Sequence, residues 1–334
     1  MSRIVKIFFL LVGLLFFAWA ISAVDIGTVF DLLGKLGIGF LLVLLIYWAV
    51  TILDTIGWKL NFKPEQALQF NLWQLWKIRQ IGEAYNTITP LGTLGGEPVK
   101  AQLLKDHHKL SLKQGLASQV VGRTTFLTAL IIFFIPGTFL ILQSDSVSNE
   151  FKAVSVVGMA VFTTLIFLFF MFQFTGKLSF LSGLFSKTSY GNKVLPFLQK
   201  LESLDKLMSE YYREHSGLAF KSISCAFIGW VVGLGELYVT LYLLGYDPSF
   251  AELWMIEALS QLVRVGSFFI PLSIGAQEGG LVLIFTGMGL PATLGLTVSF
   301  VRRIKELTWV GLGLTMSWVL AFKPGEIQPE TFEG

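Results

Sequence analysis

The sequence predicts an all-α polytopic membrane bundle built around two broken helices. Three observations lead there. The chain is 54% hydrophobic and only 14% charged, with a mean hydropathy of +0.68, whereas a soluble domain carries about 25% charged residues. Apolar stretches long enough to span a bilayer recur along it. Two related peptides interrupt them: Pro90-Leu-Gly-Thr-Leu-Gly-Gly-Glu97 and Pro271-Leu-Ser-Ile-Gly-Ala-Gln-Glu278, each opening on Pro-Leu with Glu seven residues after the Pro. A helix broken at membrane depth is tolerated only where protein buries it or where it lines a polar cavity. Matching breaks in the two halves of a chain point to a transporter's binding site.

In chain order, the first apolar run follows Arg3 and Lys6 and gives a span at about 4–24. Ala18-Trp-Ala20 resembles a signal-peptidase site, but the run is long for a signal peptide and is read as an uncleaved helix. The second span is placed at 38–58 and the first broken segment at 70–105. Spans follow at 115–142, 152–175 and 222–245, then the second broken segment at 253–290 and a last span at 294–322. That makes six full crossings and two re-entrant hairpins in one integral membrane domain, 1–334. The polar stretch 176–221 is read as a loop with an amphipathic helix through Leu195–Tyr212, where leucines recur at helical spacing. The tail after Lys323 is read as disordered.

Orientation follows from Lys and Arg in short loops. The 24–37, 143–151 and 246–252 loops are acidic, while 59–63, 100–113 and 176–221 carry most of the lysines. Their alternation places both termini in the cytoplasm and brings the broken segments in from opposite sides. A shift of 181 positions superposes the two Pro-Leu…Glu peptides, carries span two onto span five and span three onto the last span. Asp54 then falls one residue from Glu236, and Arg123 falls beside Arg302 and Arg303. The halves, about 38–142 and 219–323, thus read as an inverted repeat suited to alternating access.

The net charge of +3 and the lack of a compact basic cluster argue against nucleic acid. The single Cys225 rules out an internal disulfide or a Cys-based metal cluster, and His107, His108 and His215 lack metal-site spacing. No cofactor is expected: Gly92-Thr-Leu-Gly-Gly lacks the Gly-Lys-Ser/Thr of a P-loop. No nucleophile–base pair stands out either, so the chain is not read as an enzyme.

The chemistry is concentrated in ionisable residues at membrane depth, which normally face a cavity or a partner. Glu97 and Glu278 follow the Gly-rich turns, where a helix N-terminus favours a carboxylate. Each is read as a site residue or, equally, as a cap. The N–H groups of Leu94–Gly96 and Ile274–Gln277 could hold an anion. Arg123, Arg302 and Arg303 suit bidentate binding of phosphate or carboxylate, the alternative being ion pairs with Glu97, Glu278 or Glu306. Asn86 either touches ligand or satisfies broken backbone. Asp54 and Glu236 are candidate proton-coupling carboxylates. Arg79, Glu83, Glu257 and Arg264 are spaced for pairing along their own helices, and Lys305 is read as snorkelling to an interface. Trp58, Trp73, Trp76, Trp254 and Trp309 are read as interface anchors.

Arg79-Gln-Ile-Gly-Glu-Ala-Tyr-Asn86, Gly95-Gly-Glu-Pro-Val-Lys100, Arg123, Gly275-Ala-Gln-Glu-Gly-Gly280 and Arg302-Arg303 resemble the flippase-like transmembrane family related to the membrane half of lysylphosphatidylglycerol synthase. The Gly-Ala-Gln-Glu-Gly-Gly form is most similar to its hopanoid-biosynthesis-associated branch. The resemblance covers about residues 4–322 and implies an inner-membrane protein that handles or flips lipids. The synthase's soluble aminoacyl-transfer domain has no counterpart in this sequence. Other members often carry an acidic residue shortly after the first membrane Arg, where this chain has Thr124 and Thr125. The leading expectation is a lipid flippase or transporter, with membrane lipid as substrate and lipid-biosynthesis enzymes as candidate partners. A non-transporting scaffold for such enzymes and an intramembrane lipid-modifying enzyme are the alternatives. Nothing in the sequence indicates the oligomeric state.

Overall fold

The computed structural model of the chain describes residues 15, 18–19, 21–22, 25–89, 95–108, 110–174, 214–267, 270 and 273–319, and every regular element among them is helical. In chain order these are α1 (Ile26–Leu36), a 3-10 turn (Gly37–Gly39), α2 (Phe40–Leu60), α3 (Pro64–Ala67), α4 (Leu72–Ile88) and α5 (Gly96–His108). Then come α6 (Leu112–Gln143), α7 (Asn149–Phe174), α8 (Ser216–Leu243), α9 (Phe250–Gly266), α10 (Ala276–Gly287) and α11 (Ala292–Val319). Helices satisfy their own backbone, which an apolar surround requires.

Local signals set the helix starts. Asp25 and Asn71 accept N–H bonds from Gly27 and Trp73 at the starts of α1 and α4. Ser111 with Gln114 and Ser249 with Glu252 form capping boxes on α6 and α9. Gly37, at φ 46°, turns the chain between α1 and α2, a conformation open to glycine at little cost.

Four helical stretches among the described residues are long and apolar enough to cross a membrane: Ile26–Leu60, Leu112–Gln143, Asn149–Leu168 and Ser216–Leu243. The predicted last span is a helix of 28 residues, α11, but Arg302, Arg303, Lys305 and Glu306 keep it out of that apolar set. Two expected loops are helical. The stretch 24–37 is mostly α1, capped by Asp25 and packed on α10 and α11 through Val29, Val282 and Leu296. The stretch 100–113 is helical through His108, because α5 runs on past Lys100, which is buried rather than in a loop. The span at 4–24, the helix through Leu195–Tyr212, the tail after Lys323 and the tips at 90–94 and 271–272 lie outside, or almost wholly outside, the described residues.

Lipid gives helices no hydrophobic drive to associate, so close fit and small residues must supply it. A Cβ on Gly137 of α6 would meet Ala258 of α9 at 2.8 Å. One on Gly313 of α11 would meet the Gln80 carbonyl of α4 at 2.5 Å. The main core lies between α6, α8, α9 and α10, with Phe133 stacked on Trp254 at 4.6 Å. A second core, from Trp58 and Phe62 to Leu103 and Leu104, lies under α4 and α5.

Helix α2 lies along α8, the most extensive helix pairing in the bundle. Other pairings come in matched sets. Helix α4 packs on α5 as α9 packs on α10, and α5 on α6 as α10 on α11. Helix α4 crosses to α11, and α9 crosses to α6.

The tryptophans depart from the sequence reading. Trp58, Trp76 and Trp254 are buried, because each indole N–H has an internal acceptor: Ser118, Thr51 and the Phe133 carbonyl. Trp73 alone of the five has an exposed side chain.

Candidate functional site

The first break is held by one side chain. Asn86, 6% exposed at the end of α4, accepts the Gly96 N–H on its Oδ1 at 2.6 Å, and its amide donates to Glu83 at 3.4 Å. An otherwise orphaned donor at the start of α5 is thereby satisfied. The approach is close enough that a Cβ on Gly96 would overlap the Gly82 carbonyl. Glu97 occupies the first turn of α5. Its Oε1 lies 3.4 Å from Arg123 Nη2 on α6 and 3.6 Å from Lys100 Nζ. The Gln119 amide, oriented to satisfy both its ends, donates to Glu97 Oε2 at 2.8 Å and accepts from Trp58. Lys100 in turn reaches Glu83 at 2.7 Å.

The second break repeats the theme with different caps. Ser273 and Gly275 have φ of 48° and 79°. Glu278, in the first turn of α10, accepts the Gly275 N–H on Oε2 at 2.7 Å, and its Oε1 lies 2.8 Å from Arg303 Nη2 on α11. Arg303 also holds Glu306 at 2.9 Å. The Glu278 side chain is only 3% exposed. It is therefore both cap and ion-pair partner, and two N–H groups proposed as anion donors, Gly96 and Gly275, are satisfied by side chains of the chain itself.

Further pairs join the helices around these breaks. Asp54 of α2 meets Arg79 of α4, Glu236 of α8 meets Lys305 of α11, and Glu257 of α9 meets Arg302 of α11, each at 2.5 Å. For Arg79, Glu83 and Glu257, pairing along their own helices is thus replaced by pairing across helices. Lys305 does not snorkel outward, because Glu236 and the Tyr47 ring, 4.3 Å from its Nζ, hold it inside. Tyr47 stands where the two groups of charges meet, within electrostatic reach of Arg79 and Arg264 and of Asp54 and Glu83.

The layer is nearly closed electrically. All seven of its carboxylates have a cationic partner within 4 Å, and six of its seven cations have a carboxylate. Arg264 is the seventh: among the described residues it forms no ion pair within that distance, and it is exposed. Glu306, Tyr47, Glu257 and Glu83 are nevertheless within its electrostatic reach. An ionised side chain at membrane depth costs about 2.5–3.5 kcal/mol on insertion scales, so this many charges require mutual neutralisation or water.

The residues expected at a site, Asn86, Glu97, Arg123, Glu278, Arg302 and Arg303, with Asp54 and Glu236 as coupling carboxylates, all fall in this layer. Arg302 and Arg303 are occupied by carboxylates, while Arg123 keeps 38% of its side chain accessible. Arg79, Glu83, Lys100, Glu257, Arg264, Lys305, Glu306 and Tyr47 also stand in the layer and are not among the residues expected at the site. A signal for two of them is in the sequence: the 181-residue shift places Glu83 on Arg264, two opposite charges at matched positions.

The profile of the family described as the lysylphosphatidylglycerol synthase TM region matches residues 4–314. The chain is also similar to a UPF0104 membrane protein of Methanothermobacter thermautotrophicus, with 19% identity over 307 residues, covering 88% of this chain and 89% of that protein. No solved structure matches the chain.

Proposed function

Because this chain belongs to the family of lysylphosphatidylglycerol synthase transmembrane regions, we propose that it moves a lipid across the membrane, carrying the head group through the charged layer between its two broken helices. The observation that carries this reading is the Glu–Arg pair repeated after each break: Glu97 with Arg123 and Glu278 with Arg303, 26 and 25 residues apart. Helix termini at a broken segment, lined with fixed charge, are a place where a polar head group can leave water without entering hydrocarbon. Arg264 and Tyr47 would receive the anionic or hydroxylated part of the head group, with Arg123 at the edge, while the acyl chains stay in lipid.

The matched helix pairings support an inverted repeat whose halves rock about this layer. Movement is passive or ion-coupled. In a coupled cycle, protonation of Asp54 or Glu236 would release Arg79 or Lys305. The chain acts in this reading as a transporter rather than a catalyst, in the inner membrane with both termini in the cytoplasm. Reconstitution into vesicles with labelled anionic phospholipid, glycolipid and hopanoid-type lipids tests it. Protein-dependent movement of at least one class is expected; none for any class would end the proposal.

A further inference from the structure

The groove between α2 and α11 is lined by Leu41, Leu44, Leu45 and Trp48, spaced i, i+3, i+4 and i+7 along one face of α2, and by Thr308, Trp309 and Leu312 of α11. Its volume is about 540 Å³, within the roughly 300–1,000 Å³ range of ligand pockets. Its outer wall is apolar and open, with Leu41 60% and Leu45 57% exposed. Its lining is apolar but for Thr308; behind Trp309, Tyr47 packs on the indole at 5.5 Å, and Lys305, one turn before Trp309, lies over the Tyr47 ring. The groove is thus an apolar slot with the charged layer one side chain behind its wall, so that a chain seated in it lies beside Tyr47 and Lys305.

The matched pairings of the bundle make this groove unusual. In the shift that relates the halves, α2 against α11 corresponds to α8 against α6. Helices α6 and α8 are closely packed, whereas α2 and α11 are not among the closely packed pairs. Trp48 stands six residues before Asp54, as Trp230 stands six before Glu236. Trp230 is wedged against Phe126 at 4.9 Å and Phe133 at 5.9 Å, and Ser222 donates to Thr125 at 3.2 Å along the same seam. Trp48 instead meets Trp73 of α4, at 6.3 Å. One seam is shut by its tryptophan and its counterpart stands open.

We infer that the α2–α11 groove is a lateral portal that takes an acyl chain of a membrane phospholipid while its head group reaches the charged layer, and that the α6–α8 seam is the matching portal, shut while the first is open. The inference rests on the transport reading above and adds where the lipid tail lies and which helices part. In the opposite state α6 and α8 separate around Trp230, and α2 closes on α11.

Two measurements on reconstituted protein test it. The first uses vesicles containing an anionic phospholipid with a photoreactive diazirine in its tail, with adducts mapped by mass spectrometry. Labelling at Leu44, Leu45 and Leu312 is expected to exceed that at Val154, Val157 and Leu165 of α7 by several-fold. Even labelling of both sets means surface lipid only and overturns the portal. The second uses Thr125→Cys with Ser222→Cys in a Cys225→Ser background. The disulfide is expected to slow lipid movement about tenfold or more, with recovery on reduction. Undiminished movement with the disulfide fully formed overturns the paired-portal claim. If the unmodified protein moves no lipid yet its groove is preferentially labelled, the transport reading fails and the tail site stands.

Discussion

Replacing Arg303 and Arg123 by Ala, singly, asks whether the two Glu–Arg pairs carry equal weight, and the geometry says they do not. Arg303 is 17% exposed, contacts Glu278 at 2.8 Å and Glu306 at 2.9 Å, and Glu278 is 3% exposed. Removing Arg303 strands a buried carboxylate, which costs about 3–5 kcal/mol. Arg123 is 38% exposed and stands 3.4 Å from a Glu97 that Lys100 also neutralises. Solvent screening reduces that pair to about 1 kcal/mol or less. Thermal unfolding of the detergent-solubilised protein, followed by tryptophan fluorescence, should therefore show a much larger loss for Arg303→Ala. Glu278→Gln combined with Arg303→Gln should recover part of it, because the deeply buried carboxylate is then gone and only the more exposed Glu306 loses its partner. Equal losses for the two arginines, or a worse outcome for the double variant than for Arg303→Ala, would refute the reasoning.

Gly96→Ala should destabilise by about 1–3 kcal/mol, since the new Cβ meets the Gly82 backbone rather than a flexible side chain. Gly233→Ala, with nothing within 4 Å of its Cβ, should be neutral or help by up to about 1 kcal/mol; unfolding curves that rank them the other way would contradict the packing argument. Tyr246 and Glu252 form a pH-dependent clasp outside the spans. Burial raises the Glu252 carboxyl, but hydrogen bonds from Tyr246 and Ser249 outweigh it and hold it below its ordinary 4.5. Burial and then the Glu252 bond push Tyr246 up to about 12. A depressed carboxylate contributes stability that is present above 4.5 and lost as pH falls through its folded value, and a raised tyrosine loses its contribution as pH climbs from 10 towards 12. Tyr246→Phe should cost about 1 kcal/mol at neutral pH, discounted for exposure. The gap from the unmodified protein should close in acid, and a gap that stays constant down to pH about 3 would count against the clasp.

The bundle was legible because apolar length and breaker residues are local signals. The two broken segments, their following glutamates and the arginines about 25 residues on were readable for that reason. The ion pairs were less so. Arg79 and Glu83 sit at a spacing that favours a bond along one helix, yet α2 and α5 bring Asp54 and Lys100 closer. Which helices become neighbours is decided by packing, through contacts such as Gly313 on Gln80 and Gly96 on Gly82, and no periodicity records it. Lys100 illustrates the consequence: counted as a loop lysine in a charge tally, it is buried between two glutamates. Asp25 and Asp31 misled in the opposite sense: the first is the N-cap of α1 and the second lies within it, yet two acidic residues made the stretch resemble a loop.

The most direct test concerns Arg264, the cation in the layer with no ion pair among the described residues. Movement of a head-group-labelled anionic phospholipid should be timed in vesicles holding the unmodified protein or Arg264→Gln. Protein-dependent movement is expected to fall about tenfold or more in the variant while the unfolding transition shifts by less than about 1 kcal/mol. Equal rates for the two proteins, with both folded, would contradict that expectation.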